Sequence, residues 1–186
     1  MTFPVLETER LELIQIGSEH IHPFFNILSR DDVTKYYGMD SLTGLEQAEE
    51  IIRSFQSGFE TKRSIRWGLI LKETGGFIGT IGLNNLNLKA KKAEIGYELH
   101  PDHWRQGLAK EAVKRVLRYS FEELDLFRMG AVTYPENGTS SGMLKSLGFQ
   151  QEGRLRGYLY QRNKSHDALV FSLLKDEWTE EEGMQE

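Results

Sequence analysis

The sequence predicts an α/β (α+β) fold in which helices flank a mixed, mostly antiparallel sheet. Several short runs alternate apolar and polar residues, as half-buried strands do, and others repeat apolar residues every three or four positions, as amphipathic helices do. The chain has 186 residues, with no internal repeat and no linker rich in Pro, Gly or Ser. These observations favour a single domain built as an α/β sandwich.

The first half of the chain predicts two helices between strands. In order, the predicted elements are a strand over Arg10 to Ile16, a helix over Ile21 to Ser29, a helix beginning after Thr43, and strands over Arg66 to Lys72 and Phe77 to Leu86. Thr43 and Glu46 have the three-residue spacing of a capping box, which marks the start of a helix. Gly75-Gly76 separates the last two strands and therefore predicts a hairpin.

The second half predicts strands that alternate with two helices and end in a strand pair. In order, these elements cover Ala93 to Leu99, Leu108 to Leu124, Arg128 to Thr133, Thr139 to Leu147, Gln150 to Tyr158 and Asp167 to Leu174. The longer helix carries its apolar residues on one face, so we expect that face to pack on the sheet. We expect the domain to cover residues 1–178, with residues 179–186 forming an acidic, disordered tail.

The absence of cysteine and the net charge exclude several kinds of chemistry. Without a thiol, the chain cannot form a covalent cysteine intermediate, a Cys-based zinc site or a redox centre. The formal net charge of -5 argues against a binder of nucleic acids or anionic membranes, which needs clustered Lys and Arg. No apolar run approaches the roughly 20 residues of a membrane span, and no secretory signal is apparent. We therefore expect a cytoplasmic protein with neither a nucleic acid nor a membrane as its partner.

The segment from Glu98 to Lys110 passes from a strand through a loop into the longer helix. The start of a helix presents unpaired backbone N–H groups and the positive end of its dipole, which suit a phosphate group. Gly107 would let an anion approach the backbone, and Arg105 and Lys110 add positive charge. On spacing alone, an anion site and an ordinary strand-to-helix connection both remain open, because neither a Walker loop nor a dinucleotide fingerprint occurs.

The run Trp104-Arg105-Gln106-Gly107-Leu108-Ala109 resembles the Q/R-x-x-G-x-G/A signature of the GNAT superfamily of N-acetyltransferases. Trp104 replaces the usual Gln or Arg, as in the RimJ/RimL-like branch of ribosomal-protein N-terminal acetyltransferases. Other segments resemble that branch in the same order along the chain: Leu6-Glu7-Thr8-Glu9-Arg10-Leu11, Ala93-Glu94-Ile95-Gly96-Tyr97, Asn137-Gly138-Thr139-Ser140 and Leu147-Gly148-Phe149. The resemblance covers nearly the whole chain and implies the GNAT fold.

The same resemblance implies that acetyl-CoA is the acetyl donor and that no metal takes part. In the family, the strand that carries Tyr97, Glu98 and Leu99 separates from its neighbour and offers backbone groups to the pantetheine arm, which Asn137 would also hold. The amides of the following loop would cradle the pyrophosphate. These amides belong to Arg105, Gln106, Gly107, Leu108, Ala109 and Lys110.

Acetyl transfer to an amine requires a neutral amine and a proton for the departing thiolate. Glu94 stands where several GNAT members have a glutamate that takes the amine's proton, and burial on a central strand would suit it to that role. Ser140 is the candidate donor to the sulfur, with water as its rival, because the family's common tyrosine position is Leu144 here. Ordinary alternatives are an ion pair of Glu94 with a nearby lysine, and helix capping by Ser140 or Asn137.

Two other patterns point away from this chemistry, and we give them little weight. Gly138-Thr139-Ser140-Ser141-Gly142 matches the nucleophile elbow of α/β-hydrolases, but only His166 follows it and the chain is short for that fold. His100 and His103 have no downstream acidic motif of the metal-binding type.

The acceptor amine stays open at this point. It could belong to a protein N-terminus, that of a ribosomal protein included, or to a small molecule or antibiotic. A CoA-binding sensor without catalysis is a further alternative. The resemblance also leads us to expect a homodimer.

Overall fold

One mixed sheet carries the fold and separates two layers of helices. The computed structural model describes residues 2–179, and its strands lie in the order β1-β2-β3-β4-β5-β6-β8-β7. The strands are β1 (Leu6–Glu7), β2 (Leu11–Gln15), β3 (Ile65–Leu71), β4 (Gly76–Asn87), β5 (Lys92–Leu99), β6 (Arg128–Thr133), β7 (Gln150–Gln161) and β8 (Lys164–Leu174). Every neighbouring pair is antiparallel except β5 and β6.

The helices cover the two faces of this sheet. They are α1 (Ile21–Leu28), α2 (Asp31–Thr34), α3 (Leu45–Glu60), α4 (Leu108–Arg118), which continues into a π-helical turn, and α5 (Gly138–Ser146). Trp67 on β3 packs edge-on against Tyr119, just beyond α4, with ring centroids 5.7 Å apart. Its neighbour Arg66 lies 5.5 Å from the ring of Phe55 on α3. Because successive strand residues point to opposite faces, α3 and α4 cover opposite faces of the sheet.

Each face of the sheet has its own apolar core. Trp67, Phe121 and Phe171 are buried on the α4 side, while Phe24 and Ile52 are buried in a second cluster between α1, α3 and the sheet. The helices supply apolar residues at three- and four-residue spacing, which places them on one face of each helix. The sheet is therefore held from both sides, and its central strands are fixed.

The pairing of β5 with β6 covers only a short part of each strand. Lys92–Glu94 pair with Arg128–Gly130, and no pairing continues beyond Glu94. On its other side β5 pairs with β4 as far as Leu99, and β6 pairs with β8 as far as Thr133. The two parallel strands therefore separate, and an opening forms between their carboxyl-terminal halves.

The predicted fold class and the order of the predicted elements are confirmed, but the start of α3 was predicted wrongly. Gln47, rather than Glu46, completes the cap, because its side-chain oxygen accepts the backbone N–H groups of Thr43 at 2.7 Å and Gly44 at 3.3 Å. The sequence pattern missed β1 and α2, since elements of two and four residues are too short to show a period. The predicted tail, residues 179–186, lies outside the described residues apart from Thr179.

The buried side chain of Gln161 ties the end of β7 to the segment that follows α2. Its amide nitrogen donates to the carbonyl oxygens of Thr34 at 2.8 Å and Met39 at 2.6 Å. Its amide oxygen accepts the hydroxyl of Tyr134, just beyond β6, at 2.6 Å. One side chain thus fixes the position of residues 34–39 relative to the opening between β5 and β6.

We expect Gln161→Leu to lower the free energy of unfolding by about 2–4 kcal/mol, because it leaves a hydroxyl and two carbonyl groups without their partner. Urea denaturation followed by circular dichroism measures this loss. Gln151→Leu on the exposed part of the same strand is the matched control, and we expect it to change stability by less than about 0.5 kcal/mol. Equal stability of the two variants would contradict the role given to Gln161.

Candidate active site

A cavity of about 950 Å³ lies at the opening between β5 and β6. Its walls come from the half of β5 that does not pair with β6, the end of β6, the loop before α4, the start of α5 and the segment after α2. All the predicted site residues line this cavity except Gln106. Residues that are far apart in the sequence therefore meet at one place, where the sheet offers backbone groups that no neighbouring strand satisfies.

The loop before α4 has an unusual backbone on either side of Gln106. Arg105 has a φ of 59° and Gly107 a φ of 76°, so both lie in the left-handed region. Gly107 adopts this conformation without a steric penalty, and it forms the N-cap of α4. The first turn of α4 and the positive side chain of Lys110 face the cavity, as an anion-binding helix start requires.

Arg10, which the sequence analysis did not assign to the site, holds this loop from outside. Its guanidinium donates to the carbonyl oxygen of Gln106 at 2.9 Å and to Glu111 in the first turn of α4 at 2.7 Å. The hydroxyl of Thr8 also donates to Glu111 at 2.5 Å. Burial alone would raise the pKa of Glu111, but the bonds from Thr8 and Arg10 lower it overall. The negative charge of Glu111 in the first turn of α4 is thus compensated by Arg10, in the segment before β2.

The sequence analysis noted the motif that carries Thr8 and Arg10, but it could not predict that these residues contact Glu111. The two halves of this contact are about a hundred residues apart, and neither shows a spacing that links it to the other. Because Arg10 occupies the carbonyl of Gln106, it also fixes the direction of the peptide between the two left-handed residues. Gln106 therefore joins the loop to β2 instead of lining the cavity.

The start of α5 brings two hydroxyl groups together inside the cavity. Asn137 is the N-cap of α5, and its side-chain oxygen accepts the backbone N–H of Ser140 at 3.2 Å. The hydroxyl of Ser140 lies 2.7 Å from that of Tyr97 on β5. Burial raises the pKa of Tyr97, although its hydrogen bond with Ser140 acts in the opposite direction. Leu144, the family's usual tyrosine position, is buried in the core.

Glu94 lies at the last paired position of β5, where the opening begins. Its carboxylate accepts a hydrogen bond from the side-chain amide of Asn85 at 3.1 Å, and it is not in a salt bridge within residues 2–179. A methyl group on Gly130, its partner on β6, would come within 3.2 Å of the Glu94 side chain, so glycine leaves room for it. The expectation that Glu94 is buried was wrong, because its side chain is only half-buried.

Glu98 was predicted to contribute backbone groups, but its side chain is the buried carboxylate of the site. It is 6% exposed, accepts a hydrogen bond from the hydroxyl of Thr80, and lies 3.7 Å from the guanidinium of Arg66. Burial raises the pKa of Glu98, while Arg66 and Thr80 act in the opposite direction. Tyr37, from the segment after α2, interacts with the same carboxylate, and burial raises its pKa too.

The patterns that suggested other chemistry are not brought together in the described part of the chain. Ser140 is bonded to Tyr97, while His166 lies against the ring of Tyr134 at 5.4 Å. Within residues 2–179, no cluster of three or more His, Asp or Glu side chains is arranged to hold a metal ion. In the same range, no helix has the length and apolar character needed to cross a membrane.

Comparison with known proteins matches this architecture to one family. The model of the acetyltransferase (GNAT) domain matches residues 10–150. The chain is 44% identical to "Uncharacterized N-acetyltransferase YoaA" of Bacillus subtilis, over 93% of this chain and 98% of that protein. It is 34% identical to "Putative ribosomal N-acetyltransferase YdaF" of Bacillus subtilis, over 70% of each. The solved structure of Mycobacterium smegmatis RimJ in complex with CoA-disulfide is 22% identical and aligns with a TM-score of 0.82, over 90% of this chain and 83% of that one.

We expect Arg10→Met to raise the Kd for CoA about tenfold, because the loop loses a charge-assisted hydrogen bond and the negative charge of Glu111 is left uncompensated beside the anion. Isothermal titration measures this change. Pantetheine lacks the pyrophosphate, so we expect its Kd to stay within about twofold of the unmodified protein's value.

Arg53→Met is the control, since Arg53 forms an exposed ion pair with Glu49 on α3, away from the loop. If Arg10→Met weakened the binding of CoA and of pantetheine equally, the role of Arg10 would not be confined to the loop before α4, called here the pyrophosphate loop.

Proposed function

As a member of the GNAT acetyltransferase family, the chain is an N-acetyltransferase that uses acetyl-CoA, and we propose that its acceptor is the α-amine of a protein N-terminus, such as that of a ribosomal protein. The observation that carries the proposed mechanism is the opening between β5 and β6, which gives one cavity access to both helical layers. Donor and acceptor can then meet at the opening, and the amine attacks the thioester directly.

The donor occupies the side of the opening that faces α4 and α5. Tyr97, Glu98 and Leu99 pair with β4 but not with β6, so the backbone groups of this stretch that point to the opening are free to hydrogen-bond the amides of the pantetheine arm. The amides from Arg105 to Lys110 hold the pyrophosphate at the start of α4. Asn137 holds the arm near α5, a role that its cap on Ser140 leaves open because its amide N–H groups are not used in that bond.

Glu94 and the Tyr97–Ser140 pair supply the proton transfers. As the amine nitrogen bonds to the carbonyl carbon and the C–S bond breaks, Glu94 takes a proton from the nitrogen, directly or through water. Ser140 gives a proton to the departing sulfur. Its bond to Tyr97 lets that hydroxyl replace the proton, and Tyr97 takes a proton from water in the cavity after CoA leaves. Tyr97 on β5 thus provides the tyrosine hydroxyl that is missing at Leu144.

The modest exposure of Glu94 favours an α-amine as acceptor. At pH 7 an α-amine with a pKa near 8 is about one-tenth neutral, whereas a lysine-type amine is neutral in about one molecule in a thousand or fewer. An α-amine therefore needs less assistance from a base than a lysine-type amine, which agrees with a half-buried carboxylate, Glu94, at the opening. The name of the relative YdaF, which carries the word ribosomal, agrees with this acceptor class.

We expect the protein to release CoA thiol when acetyl-CoA is mixed with peptides that copy the N-termini of ribosomal proteins. A thiol-reactive dye follows the release, and mass spectrometry locates the acetyl group on the α-amine. The same peptides with a blocked N-terminus and a free lysine side chain are the control, and we expect no release from them. Thiol release that occurs only with small-molecule amines would reject the proposed acceptor. If none of the amines tested led to thiol release, the hypothesis that the protein is catalytic would be rejected.

We expect Glu94→Gln to lower kcat about 100-fold and to flatten its dependence on pH, because the variant lacks the group that takes the proton. Initial rates between pH 6 and 9 measure both effects. Glu73→Gln in the exposed turn between β3 and β4 is the matched control. Unchanged kinetics of Glu94→Gln would remove this residue from the mechanism.

A further inference from the structure

Three buried polar side chains and the half-buried Tyr37 form a group beside the cavity that the mechanism above does not use. Arg66 on β3, Thr80 on β4 and Glu98 on β5 lie side by side on the sheet, and Tyr37 covers them from the segment after α2. Arg66, Tyr37 and Glu98 also line the cavity. The group lies on the α3 side of the sheet, opposite α4 and the pyrophosphate loop, and therefore in the half of the cavity left for the acceptor.

Two glycines make room for Arg66 to lie along the sheet. Arg66 pairs with Gly82 on β4, and Gly82 pairs with Gly96 on β5, so the row next to Arg66 has no side chains. A methyl group on Gly82 would lie 2.9 Å from the Nε of Arg66. The guanidinium crosses this row and donates to the carbonyl oxygen of Gly96 at 2.9 Å. The arginine is thus held in one position, with its charge beside Glu98.

The two oxygens of the Glu98 carboxylate are held differently. Oε1 accepts the hydroxyl of Thr80, while Oε2 is buried 3.7 Å from Arg66 without a hydrogen bond of good geometry, and the hydroxyl of Tyr37 also interacts with the carboxylate. Buried acceptors are nearly always well satisfied, so a weakly held oxygen beside a cavity can take up a proton there. Because Oε2 is buried, a molecule in the cavity can exchange a proton with it only through a group that lies between them. Tyr37 is such a group, since it both lines the cavity and interacts with Glu98.

The acetyl transfer leaves one proton without an acceptor. An α-amine is mostly an ammonium at pH 7, so it loses one proton before it attacks and a second as the amide forms. Glu94, where the strands separate, accounts for the second. The first must leave while the ammonium sits in the acceptor half of the cavity, where Tyr37 and Glu98 lie.

We propose, on the basis of the acetyl transfer described above, that Tyr37 and Glu98 neutralise the acceptor ammonium before the attack. The ammonium gives a proton to the phenolic oxygen of Tyr37 as the phenolic proton passes to the carboxylate of Glu98. Tyr37 ends as a neutral phenol, Glu98 as a neutral carboxylic acid, and the amine has a free lone pair. Glu98 returns the proton to solvent by the same route after the product leaves. Tyr37 is then a catalytic residue, and Glu98 a positioning residue that acts through it.

The groups that face Glu98 agree with this task. Within the described residues, the charged or titratable groups that act on it are Arg66 from β3 and Tyr37 from the segment after α2, and Thr80 adds a neutral hydrogen bond from β4. Burial raises the pKa of Glu98, which favours proton uptake, while the guanidinium of Arg66 acts in the opposite direction and favours the carboxylate. An exposed carboxylate would bind the proton too weakly to act in this way.

The test is the pH profile of kcat/KM for an N-terminal peptide in Tyr37→Phe and Glu98→Gln. We expect both variants to lose activity about 10- to 100-fold at pH 7. We also expect the acid limb of the profile to move up to the amine's own pKa, about 8, because only the neutral amine can then react. The KM for acetyl-CoA should stay within about twofold, as neither side chain faces the pyrophosphate loop.

Tyr36→Phe is the matched control, because it removes a hydroxyl from the neighbouring residue whose ring lies against Tyr134, and we expect it to keep the original profile. Glu98→Gln leaves Arg66 buried without its counter-charge, so thermal melting checks its folding, and Tyr37→Phe tests the proposal independently of that outcome. A loss of activity that is equal at every pH, or an unmoved acid limb in Tyr37→Phe, would overturn the proposal. Failure of the proposed function would look different, since the unmodified protein would then acetylate no N-terminal peptide.

Discussion

The point at which β5 and β6 stop pairing determines the rest of the molecule. Beyond Glu94, β5 still pairs with β4, and beyond Gly130, β6 still pairs with β8, but β5 and β6 no longer pair with each other. Both strands are thus held in the sheet on one side while their facing edges stay apart, which makes the opening part of the fold. The cavity, the backbone groups of β5 that face the opening without a partner strand, and the meeting of residues from both helical layers all follow from it.

The chain is acidic overall, but the loop before α4 is suited to an anion. A net charge of -5 opposes the binding of a polyanion, yet the loop before α4 is arranged for one. The structure achieves this with backbone geometry more than with net charge. Two left-handed residues orient the loop, Gly107 opens α4, and the segment that carries Thr8 and Arg10 neutralises Glu111. On the acceptor side the carboxylates Glu94 and Glu98 remain, which suits a cationic amine.

Most of the fold could be predicted from the sequence, because it depends on local patterns. The strand predicted over Arg128 to Thr133 has the same bounds as β6, and Gly75-Gly76 predicted the hairpin between β3 and β4. The cap of α3 was assigned to Glu46 because a capping box can be satisfied by either of two adjacent residues, and spacing does not say which side chain folds back. The donor loop was found through a motif whose residues are consecutive.

The contacts that the sequence could not predict join distant residues. Arg10 reaches Glu111, and Tyr37, Arg66 and Glu98 come from three elements whose sequence spacing has no meaning for their proximity. Glu94 was expected to be buried, but Glu98 is the buried glutamate of β5. Both face the same side of the strand, and Glu98 lies among Arg66, Thr80 and Tyr37 while Glu94 lies at the edge of the opening. Only the three-dimensional arrangement shows which of them is enclosed.

Direct transfer within one cavity is the central claim, and two-substrate kinetics test it most directly. Initial rates are measured while acetyl-CoA and an N-terminal peptide are varied independently. Since both molecules must occupy the opening together and the chain has no cysteine to carry an acetyl group, we expect double-reciprocal lines that intersect. Parallel lines, which indicate an acetylated enzyme formed before the amine binds, would contradict this account.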